Sequence, residues 1–449
     1  MTMIEREFPI PPKDINNLSV NWPSEPLRNI LVMGHGALAM RQKPTYEHWL
    51  QVGVEVHCAD ADPSKLDDCL DGVHRYVIPG EEQRLLKAAP FDLLCINNVP
   101  ELHLATALKF DTYAQRIIIQ KPQDLNFPLI RTLNTATGFE HLRARAVVHD
   151  HYKNKSPFAA LLRELPVLHA RYGQFRRILF FLTEAKSVND ELDRASSLRC
   201  GIVQDLGVHM VDLMLECMLA ATEWRDSEKD DRVHRRVGGT IKIESCVKFR
   251  QQASVLGDDV ETFSALDLHV TEYIEFPADS KFAHKRQHEF DILIVLGKGL
   301  AIEQDVVEDL KAIVIEFERE DSFYSVIDLA SQGVAGMPSD DVNRQHGGLN
   351  RPLMLISPKP PEHALWGAGG LDYPQWQTFL MGEQVTAIAE TARQWESSRN
   401  MGAYPRHRPL GDFIRQLALR QNRIRPLWGD LPPLTNFQIR LPRAQPYFD

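Results

Sequence analysis

Two stretches of this chain carry residue types that could do chemistry together. One reads Val148-His149-Asp150-His151-Tyr152-Lys153-Asn154-Lys155, and the other Gly201-Ile-Val-Gln-Asp205-Leu-Gly-Val-His209. An imidazole titrating near neutrality can take the proton of a hydroxyl as hydride departs. A carboxylate on its far nitrogen fixes the tautomer and stabilises the imidazolium that forms. Lysine, histidine and tyrosine beside them suit an anion such as a sugar phosphate. This inventory fits oxidation of a sugar hydroxyl, which requires a dinucleotide site upstream.

Such a site is legible from residue 29 onward. The apolar run Asn29-Ile-Leu-Val-Met33 leads straight into Gly34-His35-Gly36-Ala37-Leu38-Ala39. In a G-x-G-x-x-A turn, small residues let the backbone approach a pyrophosphate at a helix N-terminus. The next strand ends Cys58-Ala-Asp60-Ala-Asp62-Pro63, placing a carboxylate where the adenosine ribose would lie. Asp60 accepts from a free 2'-OH and repels a 2'-phosphate, which argues for NAD. Arg41 and Lys43 keep NADP open, and Asp60 as a helix N-cap before Pro63 is the competing structural reading. Asn97-Asn-Val-Pro100-Glu-Leu-His103 and Gln120-Lys121-Pro122 follow the third and fourth strands, at the edge where open α/β sheets bind ligands. Lys121 there can reach both nicotinamide and substrate, although Lys-Pro is also a common loop dipeptide.

These residues need a scaffold. With 449 residues, the chain exceeds one ordinary core and implies two domains plus extensions. Residues 1–27 are proline-rich and read as an extended arm. Residues 28–150 alternate short apolar strands with helix-length segments, the pattern of a doubly wound parallel (Rossmann) sheet, and are expected to bind NAD(P). Residues 151–410 carry longer, partly alternating strands at Arg177–Leu182, Thr262–Phe276, Phe290–Leu296 and Lys311–Phe317. They imply an α+β substrate domain with a large mixed or antiparallel sheet. Ser331 to Pro374 reads as a long loop, Val385 to Trp395 as an amphipathic helix on the second sheet, and residues 411–449 as a C-terminal extension.

The six cysteines form no C-x-x-C pair and read as buried thiols, and the net charge of -10 argues against a nucleic-acid partner. No apolar run reaches the length of a membrane span and Met1 to Asn17 lacks a secretory core, so a cytoplasmic location is expected. Asp205, His209 and His151 could be metal ligands, but no cysteine or histidine stands at ligand spacing to complete a set, and no metal is expected. Asp205 and His209, four apart, share a face of a regular helix.

At these motifs the chain resembles the Rossmann-plus-sheet oxidoreductases that include the Gfo/Idh/MocA sugar dehydrogenases and glucose-6-phosphate dehydrogenase. The first are suggested by the G-x-G-x-x-A turn, Pro100-x-x-His103, Lys121-Pro122 and Asp205-x-Gly207-x-His209-x-x-Asp212. The second is suggested by Asp150-His151-Tyr152-x-x-Lys155, Glu184, and Leu296-Gly297-Lys298 leading into Ile313–Phe317. The resemblance covers residues 28–318. It implies His209 as general base, Asp150 as its orienting carboxylate, and His151, Tyr152 and Lys155 as a phosphate cradle. Lys121, Glu184, Asp205 and Lys298 would contact the sugar. By analogy with the superfamily it also implies a homodimer or homotetramer. Three departures stand out: the turn is more generic than Gly-x-x-Gly-Asp-Leu, Gln120 replaces the Glu before Lys-Pro, and the Asp205–His209 spacing is the shorter Gfo/Idh/MocA one.

The leading expectation is an NAD(P)-dependent dehydrogenase acting at C1 of glucose 6-phosphate or a similar C6-anionic hexose to give the lactone. The alternatives are oxidation of an unphosphorylated sugar or cyclitol, and a dinucleotide-binding regulator without turnover.

Overall fold

A computed structural model describes residues 7–10, 27–36, 39, 42–150, 152–154, 156–184, 200–221, 223–224, 233–252, 259–275, 286–298, 301–302, 306–307, 311–318, 323–327 and 377–395. The chain divides into two compact units. One is Asp14–Lys155 with Asn343–Ala387, and the other is Met1–Lys13, Ser156–Val342 and Ile388–Asp449.

The first unit is built on a parallel sheet of β1 (Asn29–Met33), β2 (Glu55–Asp60), β3 (His74–Val77), β4 (Phe91–Ile96), β5 (Ala114–Gln120) and β6 (Ala146–His149). Their order is β6-β5-β4-β1-β2-β3, and Gln377–Thr378 adds an antiparallel edge on β6. This is the doubly wound order in which the path reverses between β1 and β4. Alternate residues of one strand enter opposite cores. Ile30 and Val32 pack with Tyr46 and Trp49 of α1 (Lys43–Gln51), while Leu31 and Met33 pack with Leu104 and Phe110 of α2 (His103–Phe110). Apolar side chains therefore occupy both faces, and each one fully buried contributes roughly 1.5–3 kcal/mol.

In the second unit α3 (Ser156–Tyr172) precedes β7 (Phe175–Glu184), and α4 (Val208–Ala220) precedes four longer strands. These are β8 (His234–Gln252), β9 (Asp259–Glu275), β10 (Arg286–Lys298) and β11 (Lys311–Phe317), with β12 (Phe323–Ile327) after them. The sheet runs Glu7–Pro9, β8, β9, β10, β7, β11, β12, with Glu223–Trp224 also paired to β8. It is antiparallel except for the β10–β7 pair, so it is mixed as the strand patterns predict. Part of the proline-rich N-terminal stretch forms an edge strand, with Phe8 and Ile10 buried and the Ile10 N–H donating to the Gly239 carbonyl at 3.0 Å. At the centre of the sheet, Ile178 to Leu182 and Ile292 to Leu296 are buried on both sides, so both faces are covered there instead of one standing open as in many antiparallel sheets.

The helix read at Val385–Trp395 is longer, α5 (Phe379–Gln394), and its first half belongs to the first unit rather than to the second sheet. Gly382 decides this. A Cβ there would stand 2.5 Å from Val148 Cγ2 of β6, an approach that only glycine permits. The 331–374 loop lies outside the described residues apart from the division above, as does the 411–449 extension.

His169 links the end of α3 to the aromatic core of the second unit. Its Nδ1 lies 2.9 Å from the Gly173 carbonyl, and its ring meets Phe175 and Phe317 edge-on. Burial pulls its pKa down to about 4. The folded value lies below the unfolded one, so the stabilisation is complete above about pH 6.5 and is lost as pH falls toward 4. We expect unfolding free energy to decline by about 3 kcal/mol over that interval. His169→Gln should flatten this slope in urea melts, and an unchanged slope would assign the acid sensitivity to other groups.

Candidate active site at the carboxyl edge of the parallel sheet

The parallel strands of the first unit all end at one edge, and that edge collects most of the residues singled out by the sequence. Gly34 ends β1 with φ +90, and its N–H donates to the Ala59 carbonyl at 2.8 Å. A Cβ at Gly34 would lie 2.4 Å from the Asn98 backbone nitrogen. The turn after β1 is thus pressed against the turn after β4 at the point where strand order reverses. At Gly36, by contrast, a Cβ would meet nothing within 4 Å among the described residues. That open space beside the backbone fits the close approach of a pyrophosphate. Ala37 and Leu38 lie outside the described residues, Ala39 is helical, and α1 starts at Lys43 with Gln42 as its N-cap.

Asp60 ties the turn to β2. Its carboxylate accepts the His35 N–H at 2.6 Å and the Asp62 N–H at 2.9 Å. The capping role weighed for Asp60 falls instead to Asp62, whose Oδ1 accepts from the Ser64 N–H at 3.0 Å at the start of the short helix Pro63–Leu66. Asp60 therefore stands beside the Gly34–Gly36 turn, with further lone-pair capacity on each oxygen for a ribose hydroxyl.

The His35 side chain turns inward. Its Nδ1 lies 2.8 Å from the Lys65 carbonyl, and its ring sits beside Cys69. A hydrogen bond from Cys58, followed by the contact with His35, brings the Cys69 thiol down to about 5. His35 itself is raised, because its contacts with Cys69 and the Lys65 carbonyl outweigh burial. Asn97 also faces inward, donating through Nδ2 to Gln42 Oε1 at 2.6 Å and to the Tyr46 hydroxyl at 3.2 Å. His103 has both ring nitrogens on carbonyls, Nδ1 at 2.8 Å from Pro122 and Nε2 at 3.0 Å from Asn98, and burial lowers its pKa. It clamps the turn after β4 to the Lys121-Pro122 turn. Asp124 Oδ2 accepts the Leu104 N–H at 2.9 Å, so the start of α2 is capped from within the fold. Pro100 sits in a single 3-10 turn flanked by Val99 and Leu102, which are 44% and 50% exposed. These two apolar side chains give the edge a surface on which a planar ring can rest, and nothing in the sequence pattern marks them.

Lys121 and Asp150 leave adjacent strands side by side. β5 and β6 are in register with Gln120 opposite His149, and the Gln120 amide nitrogen lies 3.1 Å from His149 Nδ1. Asp150 is fully buried and accepts the Tyr152 N–H at 2.9 Å. Tyr152 and Lys153 are buried, whereas His151 and Lys155 lie outside the described residues. Among the described residues of this segment the buried lysine is Lys153, which the motif left as a spacer.

In the second unit, Glu184 and Lys298 are opposite each other at the ends of β7 and β10. Asp205 and His209 are both buried, at 8% and 3% exposure, in an apolar stretch. The regular helical face drawn through them is corrected. Val203–Gly207 is a π-helix, and α4 starts at Val208. A π turn takes in more residues than an α turn, so four positions no longer close one turn, and such insertions often mark functional sites. Next to it, Gly201 has φ +86 and a Cβ there would sit 2.5 Å from Glu261 Oε2. Gln204 donates to Glu390 Oε2 at 2.9 Å. Neither feature was visible in the local sequence.

The fold has solved counterparts. The myo-inositol 2-dehydrogenase of Lactobacillus plantarum aligns with a TM-score of 0.50 and 12% identity, over 84% of this chain and 98% of that one. The WlbA dehydrogenase of Bordetella pertussis, solved with NADH and UDP-GlcNAcA, aligns with a TM-score of 0.50 and 14% identity, over 82% and 97%. Its counterpart from Chromobactrium violaceum, with the same two ligands, gives 0.50 and 11% over 83% and 95%. The architecture shared with these proteins is a Rossmann-like parallel sheet followed by a mixed sheet. No protein-family model and no curated protein matches the chain.

Proposed function

We propose that this protein is an NAD-dependent dehydrogenase that oxidises a hydroxyl of an unphosphorylated sugar or cyclitol. The observation that carries the reading is the carboxyl edge of the parallel sheet. There Gly34 is packed against Asn98, Gly36 faces open space, and Asp60 holds the turn between them by its backbone. Gly36 would lie against the pyrophosphate and Asp60 would accept from the adenosine ribose, which favours NAD over NADP. Bound nicotinamide supplies the hydride acceptor. His209 would take the hydroxyl proton as the carbonyl forms, and Lys121 would hold the reacting oxygen. Glu184, Asp205 and Lys298 would bind the remaining hydroxyls.

The cyclitol class is supported by a protein that shares the fold, whose name gives myo-inositol; another that shares it was solved with the sugar nucleotide UDP-GlcNAcA, which is the competing substrate class. A glucose 6-phosphate dehydrogenase reading rests on the Asp150-His151-Tyr152-x-x-Lys155 segment, in which Tyr152 is 4% exposed. The test is formation of NADH or NADPH with myo-inositol, free hexoses, a UDP-linked hexuronate and glucose 6-phosphate, offered with NAD and with NADP respectively. Turnover of an unphosphorylated member with NAD is expected. Exclusive use of glucose 6-phosphate or of the UDP-linked hexuronate would replace the substrate class. Calorimetric NAD binding without turnover of any member would instead make the chain a dinucleotide-binding regulator.

A further inference from the structure

The geometry points to a site for a thiophilic metal cation formed by His35, Cys58 and Cys69. One donor atom of each lies within 4.8 Å of the others, and all three side chains are buried. A zinc ion bonds thiolate sulfur at about 2.3 Å and imidazole nitrogen at about 2.0–2.1 Å, so donors this close can close on a single ion with small side-chain adjustments.

The histidine is already oriented for coordination. Its Nδ1 is 2.8 Å from the Lys65 carbonyl, so that nitrogen carries a proton, and the side-chain hydrogen bond of the ring to Cys69 already directs it toward the other donors. A ligating histidine held through its other nitrogen by a backbone carbonyl is the usual support around protein-bound metals. Two sulfurs and one imidazole suit zinc or copper(I), and disfavour magnesium and calcium, which require oxygen.

The three donors come from separate pieces of chain. His35 lies in the turn after β1, Cys58 within β2, and Cys69 just beyond the short helix Pro63–Leu66. The backbone holds all three pieces without an ion. Gly34 N–H donates to Ala59 O, His35 N–H to Asp60, Cys69 N–H to Leu66 O, and the Arg75 guanidinium to Cys69 O at 2.9 Å. An ion here would staple the Gly34–Gly36 turn to β2, so the site is distinct from the open space at Gly36 while sharing its support. The inference does not depend on the proposed dehydrogenase activity.

The test uses the full chain, reduced and stripped of metal, titrated with Co²⁺, whose bonds to thiolate produce strong near-ultraviolet charge-transfer absorption. One equivalent per chain is expected, displaced by Zn²⁺. Cys58→Ser and Cys69→Ser should lose the band, and His35→Gln should keep a band but bind at least tenfold more weakly. Cys246→Ser, in the other unit beside Ser264, should behave as the parent. The parent alone is decisive if the serine variants fail to fold. No stoichiometric band in the folded, reduced parent, or an undiminished band in the Cys58/Cys69 double variant, would overturn the assignment. So would free-thiol counts showing that the two cysteines form a disulfide in preference to binding the ion.

Discussion

His209→Gln is expected to lower kcat by about 10²- to 10⁴-fold while leaving NAD affinity unchanged, because the substitution removes a proton acceptor and no part of the dinucleotide edge. Glutamine keeps the side chain polar and of comparable length in a position that is 3% exposed, so a large cavity term is avoided. The expected signature is specific. The pH dependence of kcat/KM should change shape with the loss of the proton acceptor, whereas a structural role would lower the melting temperature and leave the shape of the profile intact. A variant that retains parental kcat would remove His209 from the mechanism and leave the NAD assignment standing.

Gly34 and Gly36, two residues apart, should respond to alanine in opposite ways. At Gly34 the methyl group would stand 2.4 Å from the Asn98 nitrogen, with the backbone at φ +90. The left-handed conformation costs roughly 1–3 kcal/mol, and separating two turns held by strands adds overpacking of roughly 1–3 kcal/mol. Gly34→Ala should therefore lose roughly 2–6 kcal/mol of stability. At Gly36 the methyl group enters open space, so Gly36→Ala should melt within a few degrees of the parent. It should nonetheless bind NAD more weakly, by tenfold or more, because the added carbon occupies the approach to the pyrophosphate. Denaturant melts and calorimetry on the two variants read these effects separately. Equal NAD affinity in Gly36→Ala and the parent would remove the pyrophosphate from that position.

Asp60 illustrates how one residue can serve two purposes at such an edge. Its bond to the His35 N–H means that truncating it would loosen the turn as well as remove the proposed ribose contact. A shift in cofactor preference in an Asp60 variant would need to be separated from that loosening.

Much of the first unit could be read directly from the chain. Ile117-Ile118-Ile119 and Ile30-Leu31-Val32 are apolar without alternation, which only a strand covered on both faces accommodates, and all six are fully buried. The Gly34-x-Gly36 turn and the position of Asp60 followed from the same logic, because a phosphate-binding turn has strict local requirements. β8 was missed although Ile241, Lys242, Ile243 and Glu244 alternate buried and half-buried. Its run of arginines, lysines and paired glycines resembles a surface loop until a partner strand covers one face. The π turn before α4 also escaped notice, since one extra residue in a helical turn has no compositional mark.

What the sequence determined by itself was whatever depends on neighbours within a few residues: strand periodicity, the glycine turn, the polarity of each strand end. The tertiary structure decided which side chains face inward. It turned His35 toward Cys69 and the Lys65 carbonyl, set His103 between two carbonyls, and set Asp60 against the turn backbone while Asp62 took the cap. The physical reason is that a hydrogen bond or a thiol contact needs atoms within a few ångströms. In a doubly wound sheet those atoms come from strand ends that the chain visits tens of residues apart.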